Sequence, residues 1–191
     1  MPLLKMLTIN EEDIDSEGVL EIIWRALEYF PRGLWDGAEY LGNINIRHDV
    51  KIKFKEVVYG AFILNNLMEK IRRVRKLLGI DDLLLAITYD PVITVYHRFE
   101  AKKINCFANL IYDYVSRDAG LISFFRVKEG EIASKIIAHG LGHSRGLRHH
   151  LKPVDIMYEG LIEIGKLRND GFCSDCIKKI SCDMESSRSG P

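Results

Sequence analysis

Short apolar runs alternate along this chain with segments whose apolar residues recur every three or four positions, the marks of strands and helices respectively. Leu4 to Ile9 is apolar and runs into the polar residues Asn10 to Asp13, which predicts a strand. From Ser16 onward Val19, Leu20, Ile23, Leu27 and Phe30 share a helical face until Pro31 stops it. Partial alternation over Ala38 to Ile46 and Val50 to Tyr59 predicts two more strands. Ile63 to Leu78 reads as a helix with Ile63, Leu64, Leu67, Ile71, Val74 and Leu78 on one face and the basic run Lys70 to Lys76 elsewhere. Leu83 to Thr88 is continuously apolar and suits a strand buried on both faces, after which Asp90 and Pro91 turn the chain. Ile104 to Tyr112 and Leu121 to Val127 flank a polar connection and predict two strands, the first a candidate edge. A third helix begins near Gly130. This order implies an α/β or α+β core, with helices packed on a twisted mixed sheet.

The third helix carries the chemistry. Ile132, Ile136, His139 and His143 form one stripe and Ala133, Ile137 and Leu141 a neighbouring one, so the helix is expected to be largely enclosed. His139 and His143 are four residues apart, which places both imidazoles on one face within reach of one metal ion. Gly146 permits a sharp exit, and His149, three residues later, can swing back as a third ligand. Three neutral imidazoles suit a zinc ion of the catalytic type, which leaves its fourth position to water. An HxxxH pair alone is common; HxxxHxxGxxH is far more specific, because the glycine stands where the helix must stop.

Composition narrows the setting. The chain has 191 residues, room for one domain with at most a small appendage. Its 27 basic and 27 acidic residues balance, so no net field points to nucleic acid or a membrane surface, and the basic helical run reads as a solvated face. No apolar stretch is long enough for a membrane span, and the first residues lack a signal peptide's apolar segment, so a cytoplasmic protein is expected. Of four cysteines, Cys106 stands alone and is expected to be a small buried hydrophobe, while Cys173, Cys176 and Cys182 cluster near the end. For the CxxC pair Cys173 and Cys176, structural zinc, a redox or free pair and an empty remnant all remain open.

The stretch from His139 to Met157 resembles the metzincin motif HExxHxxGxxH followed by a methionine turn. The short distance to Met157 and the distal Cys173 and Cys176 make it similar to the archaemetzincins, as does the upstream run Ile104 to Val127. The resemblance implies a mixed, mostly parallel sheet with packed helices, an active-site helix, and a small C-terminal part with the Met-turn. It implies residues 1–146 for the first part, 147–185 for the second and 186–191 for a tail. It further implies zinc-dependent peptide hydrolysis of an extended peptide or protein substrate, with His139, His143 and His149 holding the ion and Met157 shaping the floor. Three positions depart from the pattern. Gly140 stands where the family has the general-base glutamate, a contribution of typically ~10²–10⁴-fold, so weak or absent activity is expected, with an inactive peptide-binding zinc scaffold as the rival reading. His150 and Asp155 replace the first two cysteines of the family's second, structural zinc site, leaving either a mixed site of His150, Asp155, Cys173 and Cys176 or an empty one. Asp155 and Tyr158 are also near enough in sequence to approach the first metal.

Overall fold

The computed structural model describes residues 3–11, 16–100, 103–128, 130–151, 155–158 and 171–188. β1 (Leu3–Ile9), α1 (Ser16–Leu27) and β2 (Gly37–Ile44) open the chain. They are followed by β3 (Val50–Phe54), β4 (Val57–Ile63), α2 (Leu64–Leu77) and β5 (Leu84–Thr88). β6 (Val92–Glu100), β7 (Lys103–Ile111), β8 (Asp113–Val115) and β9 (Ala119–Ser123) precede α3 (Gly130–Ser144) and α4 (Ser174–Arg188).

The expected fold class holds: five strands form a mixed, mostly parallel sheet in the order β2-β1-β5-β9-β8, with only β8 antiparallel to its neighbour. The continuous apolar runs of β5 and β9 are buried along their whole length because helices cover both faces. Successive side chains alternate between those faces. Met6, Leu85, Ile87 and Ile122 pack in one core with α1, α3 and α4, while Leu7, Leu84, Ala86 and Leu121 pack in the other with α2.

A second sheet, ordered β3-β4-β6-β7, departs from the pattern reading. Val50 to Tyr59 is two strands and a tight turn in which Lys55 takes a positive φ of 53°. β6, absent from the apolar pattern, pairs with β7 over their full length as a hairpin. Leu121 to Val127 is strand only to Ser123, and β8 lies inside what reads as a polar connection. Cys106, expected in the core, is exposed on β7. α4 runs to Arg188, into the stretch expected to be a tail. No helix among the described residues is long and apolar enough to cross a membrane.

The start of α2 is held from a distance. Ile63, just before it, has no capping side chain, and its N–H donates to Asp49 Oδ2 at 2.9 Å. Lys70 from the same helix meets Asp49 Oδ1 at 3.1 Å. Burial opposes the charge of Asp49, but the Ile63 N–H, the Lys70 ammonium and the Asn66 amide outweigh it and hold the carboxyl below the usual aspartate range. Because the folded pKa lies below the unfolded one, this stabilisation is present above about pH 4 and is lost as pH falls through the folded value. Urea denaturation of Asp49→Ala should show a loss of about 1–2 kcal/mol at pH 7 that shrinks below pH 4; an undiminished difference in acid would rule out the charge as its source.

Candidate metal centre

α3 is enclosed, as its two stripes predict, with Ala133 to Gly142 buried. Even Lys135 is buried along its length and reaches Glu131 at 2.6 Å. The helix ends as the glycine predicts. Gly146 takes φ +74°, its N–H donates to the His143 carbonyl at 2.9 Å, and the Leu147 N–H donates to the Gly142 carbonyl at 3.1 Å. This is the Schellman pair of bonds that a left-handed residue after the last turn allows. Lys179 of α4 donates to the Gly146 carbonyl at 2.7 Å and fixes the exit from outside.

The returning chain brings His149 against the helix. Its Nε2 lies 3.0 Å from His139 Nε2 and 3.1 Å from His143 Nε2. The three ring centroids are 4.7 to 5.0 Å apart. His149 Nε2 carries at most one proton and can satisfy only one of the other two nitrogens, whereas a cation between them satisfies all three. Tetrahedral zinc with Zn–N of about 2.0–2.1 Å sets its nitrogens about 3.3 Å apart, so the donor set fits. His143 Nδ1 lies 3.1 Å from the Leu147 carbonyl, which accepts its proton and leaves Nε2 free as a ligand. Burial first, then the neighbouring His139, holds His143 below the usual histidine range, favouring the neutral, ligating form.

Two glycines let neighbours press on α3. A Cβ on Gly142 would lie 2.7 Å from the sulfur of Met157, which is fully buried against that turn. A Cβ on Gly140 would lie 2.7 Å from Val115 Cγ2, 3.2 Å from Ile122 Cδ1 and 3.3 Å from Asp113 Oδ2. Position 140 is therefore filled by β8 and β9. Asp113 also lies 3.4 Å from His139 Nδ1, and no local sequence pattern signals this contact, since it depends on how a strand edge meets a helix.

The second group, which the sequence leaves open between a mixed site and an empty one, also draws together. His150, Asp155, Cys173 and Cys176 bring their ligand atoms within 4.8 Å of one another. Cys173 Sγ and Cys176 Sγ lie 3.8 and 3.6 Å from His150 Nε2, close to the separation of about 3.6 Å that sulfur and nitrogen take on tetrahedral zinc. Asp155 is fully buried; Oδ1 accepts from the Met157 N–H at 2.6 Å, and Oδ2 from the Cys173 N–H at 2.7 Å and from His150 at 2.9 Å. Burial opposes its charge, but the Cys173 thiol, these N–H groups and His150 outweigh it and hold the carboxyl below its usual range. Asp155 thus belongs to this group rather than to the three histidines. Burial, then the Asp155 charge and Cys173, push the Cys176 thiol up to about 12, so a metal there must displace a firmly held proton. Cys182 is exposed and outside the group.

The fold has solved counterparts. An archaemetzincin from Methanopyrus kandleri superposes with a TM-score of 0.61 at 17% identity, over 96% of this chain and 96% of that one. The fold is that of the archaemetzincins. A second archaemetzincin structure, from Archaeoglobus fulgidus with malonate, matches at TM-score 0.56 and 14% identity over 93% of this chain and 99% of its own. A zinc-dependent peptidase from Methanocorpusculum labreanum matches at TM-score 0.65 and 13% identity over 92% and 99%. No family model and no curated protein matches the chain. His139 and His143 of the first candidate group lie on α3, and the second group gathers His150 and Asp155 from the chain beyond it with Cys173 and Cys176 at the start of α4.

Proposed function

We propose that this chain is a zinc-dependent metallopeptidase of the archaemetzincin type, working without a glutamate at the general-base position. The observation that supports it is the convergence of the Nε2 atoms of His139, His143 and His149, with His143 fixed by the Leu147 carbonyl. When bound there, zinc supplies Lewis-acid polarisation of a scissile carbonyl and acidifies water. Met157 packs beneath α3 as the floor of a Met-turn. β8 ends the five-stranded sheet beside α3, and no described strand pairs with its outer edge, where an extended peptide or protein can add as a further strand. Gly140 offers no side chain to carry a proton to the leaving amine, and the missing contribution is roughly 10²–10⁴-fold. The group of His150, Asp155, Cys173 and Cys176 is read as a second, structural zinc site. Four cysteines that form no disulfide suit a cytoplasmic protein.

Zinc content of the purified chain and of His143→Ala, measured alongside hydrolysis of an unstructured peptide library, tests this reading. The parent should hold zinc and cleave slowly in a chelator-sensitive way, and the variant should lose the zinc equivalent of the three-histidine group together with cleavage. Zinc content indifferent to His143→Ala overturns the reading. Gly140 favours one second reading, a scaffold that binds extended peptides uncut, which peptide capture by the zinc-loaded chain without cleavage products would reveal.

A further inference from the structure

A carboxylate stands behind the three histidines on an element that the motif does not include. β8 turns Val115, and with it Asp113, toward α3, while Tyr114 between them is exposed. The Asp113 side chain is only 10% exposed, and its Oδ2 lies 3.4 Å from His139 Nδ1. That nitrogen is itself buried and has no hydrogen bond. The same Oδ2 would lie 3.3 Å from a Cβ on residue 140, and Val115 Cγ2 only 2.7 Å from it. The missing side chain is thus what lets Val115, and with it the strand that carries Asp113, approach the metal-binding turn.

We propose that Asp113 is the positioning carboxylate of His139. His139 Nδ1–H donates to Asp113 Oδ2, which holds the imidazole in the tautomer whose Nε2 lone pair faces His143 and His149. The separation is about 0.5 Å longer than a charge-assisted hydrogen bond, a gap that a small turn of the ring or the carboxylate closes. Metal-ligating histidines are commonly oriented in this way by a carboxylate on their second nitrogen. A role for Asp113 as general base fits the geometry less well, because it meets the ring at Nδ1, across the imidazole from the Nε2 that faces the other histidines. On this proposal Gly140 contributes by the space it leaves: it gives up a base and admits a carboxylate that tightens the metal cradle. The proposal rests on the zinc reading above.

The test is zinc affinity of the full-length chain, measured by competition with a chromogenic chelator. Asp113→Ala should weaken binding about 10–100-fold. Asp113→Asn, which keeps an acceptor but not the charge, should fall between it and the parent, and Tyr114→Ala on the same strand should match the parent. Long-range proton–nitrogen spectra of the zinc-loaded parent should show His139 protonated on Nδ1. If folded Asp113→Ala binds zinc as the parent does, the proposal is overturned. Should the alanine variant fail to fold, an unchanged affinity in Asp113→Asn overturns it equally. Retained affinity with lost peptide hydrolysis also overturns it and moves Asp113 into the chemistry. Failure of the zinc reading would look different: parent and His143→Ala would then bind zinc alike, whatever Asp113 does.

Discussion

Asp155→Ala is expected to lower the stability of the metal-free chain by about 3–5 kcal/mol, the usual cost of deleting one partner from a buried charged network. Asp155 is fully buried, and its two oxygens accept from the Met157 and Cys173 N–H groups and from His150. Alanine would strand both buried backbone donors and leave His150 and the two thiols without the group that gathers them. In a domain of this size each kcal/mol moves Tm by roughly 2–4 °C, so the midpoint should fall by about 6–20 °C. Differential scanning calorimetry in the presence of chelator measures it. A shift of only a degree or two would mean that the three segments hold their places without the carboxylate.

Gly140→Glu should restore the motif and yet fail to restore a peptidase. A side chain there gains roughly 1 kcal/mol of helix propensity over glycine. Against that gain, its Cβ would sit 2.7 Å from Val115 Cγ2, on a stiff β-branched side chain that cannot swing clear, and 3.2 Å from Ile122 Cδ1. Overpacking of this kind costs about 1–3 kcal/mol, and the new carboxylate would be desolvated beside Asp113. The single variant is therefore expected to be destabilised and no faster than the parent. Gly140→Glu combined with Val115→Ala removes the nearest collision and should recover stability together with much of the ~10²–10⁴-fold contribution of a general base. Initial rates on a fluorogenic peptide, paired with urea midpoints, separate the two effects; a single variant that is both stable and fast would show that β8 yields easily.

The three-histidine group was legible because each part of it is local. Helical period puts His139 above His143, a left-handed glycine ends the turn, and three residues suffice to bring His149 back. Asp113 was not legible, since its place depends on the register of β8 against β9 and of both against α3. β6 escaped notice for a related reason. The β6–β7 hairpin exposes Val95, Tyr96, Phe99 and Ile104, so no one-sided alternation marks it, and the same lack of cover leaves Cys106 exposed. Among the described side chains of α4 only Cys176 and Ile180 are buried, too sparse a stripe to announce a helix.

His149 and His150 are consecutive, yet one belongs to the three-histidine group and the other to the group with the cysteines. A single peptide bond therefore joins the two. When both hold a cation, whatever factor filling the first adds to the affinity of the second is returned in full by the second to the first. Whatever coupling the shared peptide carries, of either sign, is read equally from either end, by titrating zinc into one group with the other filled and empty.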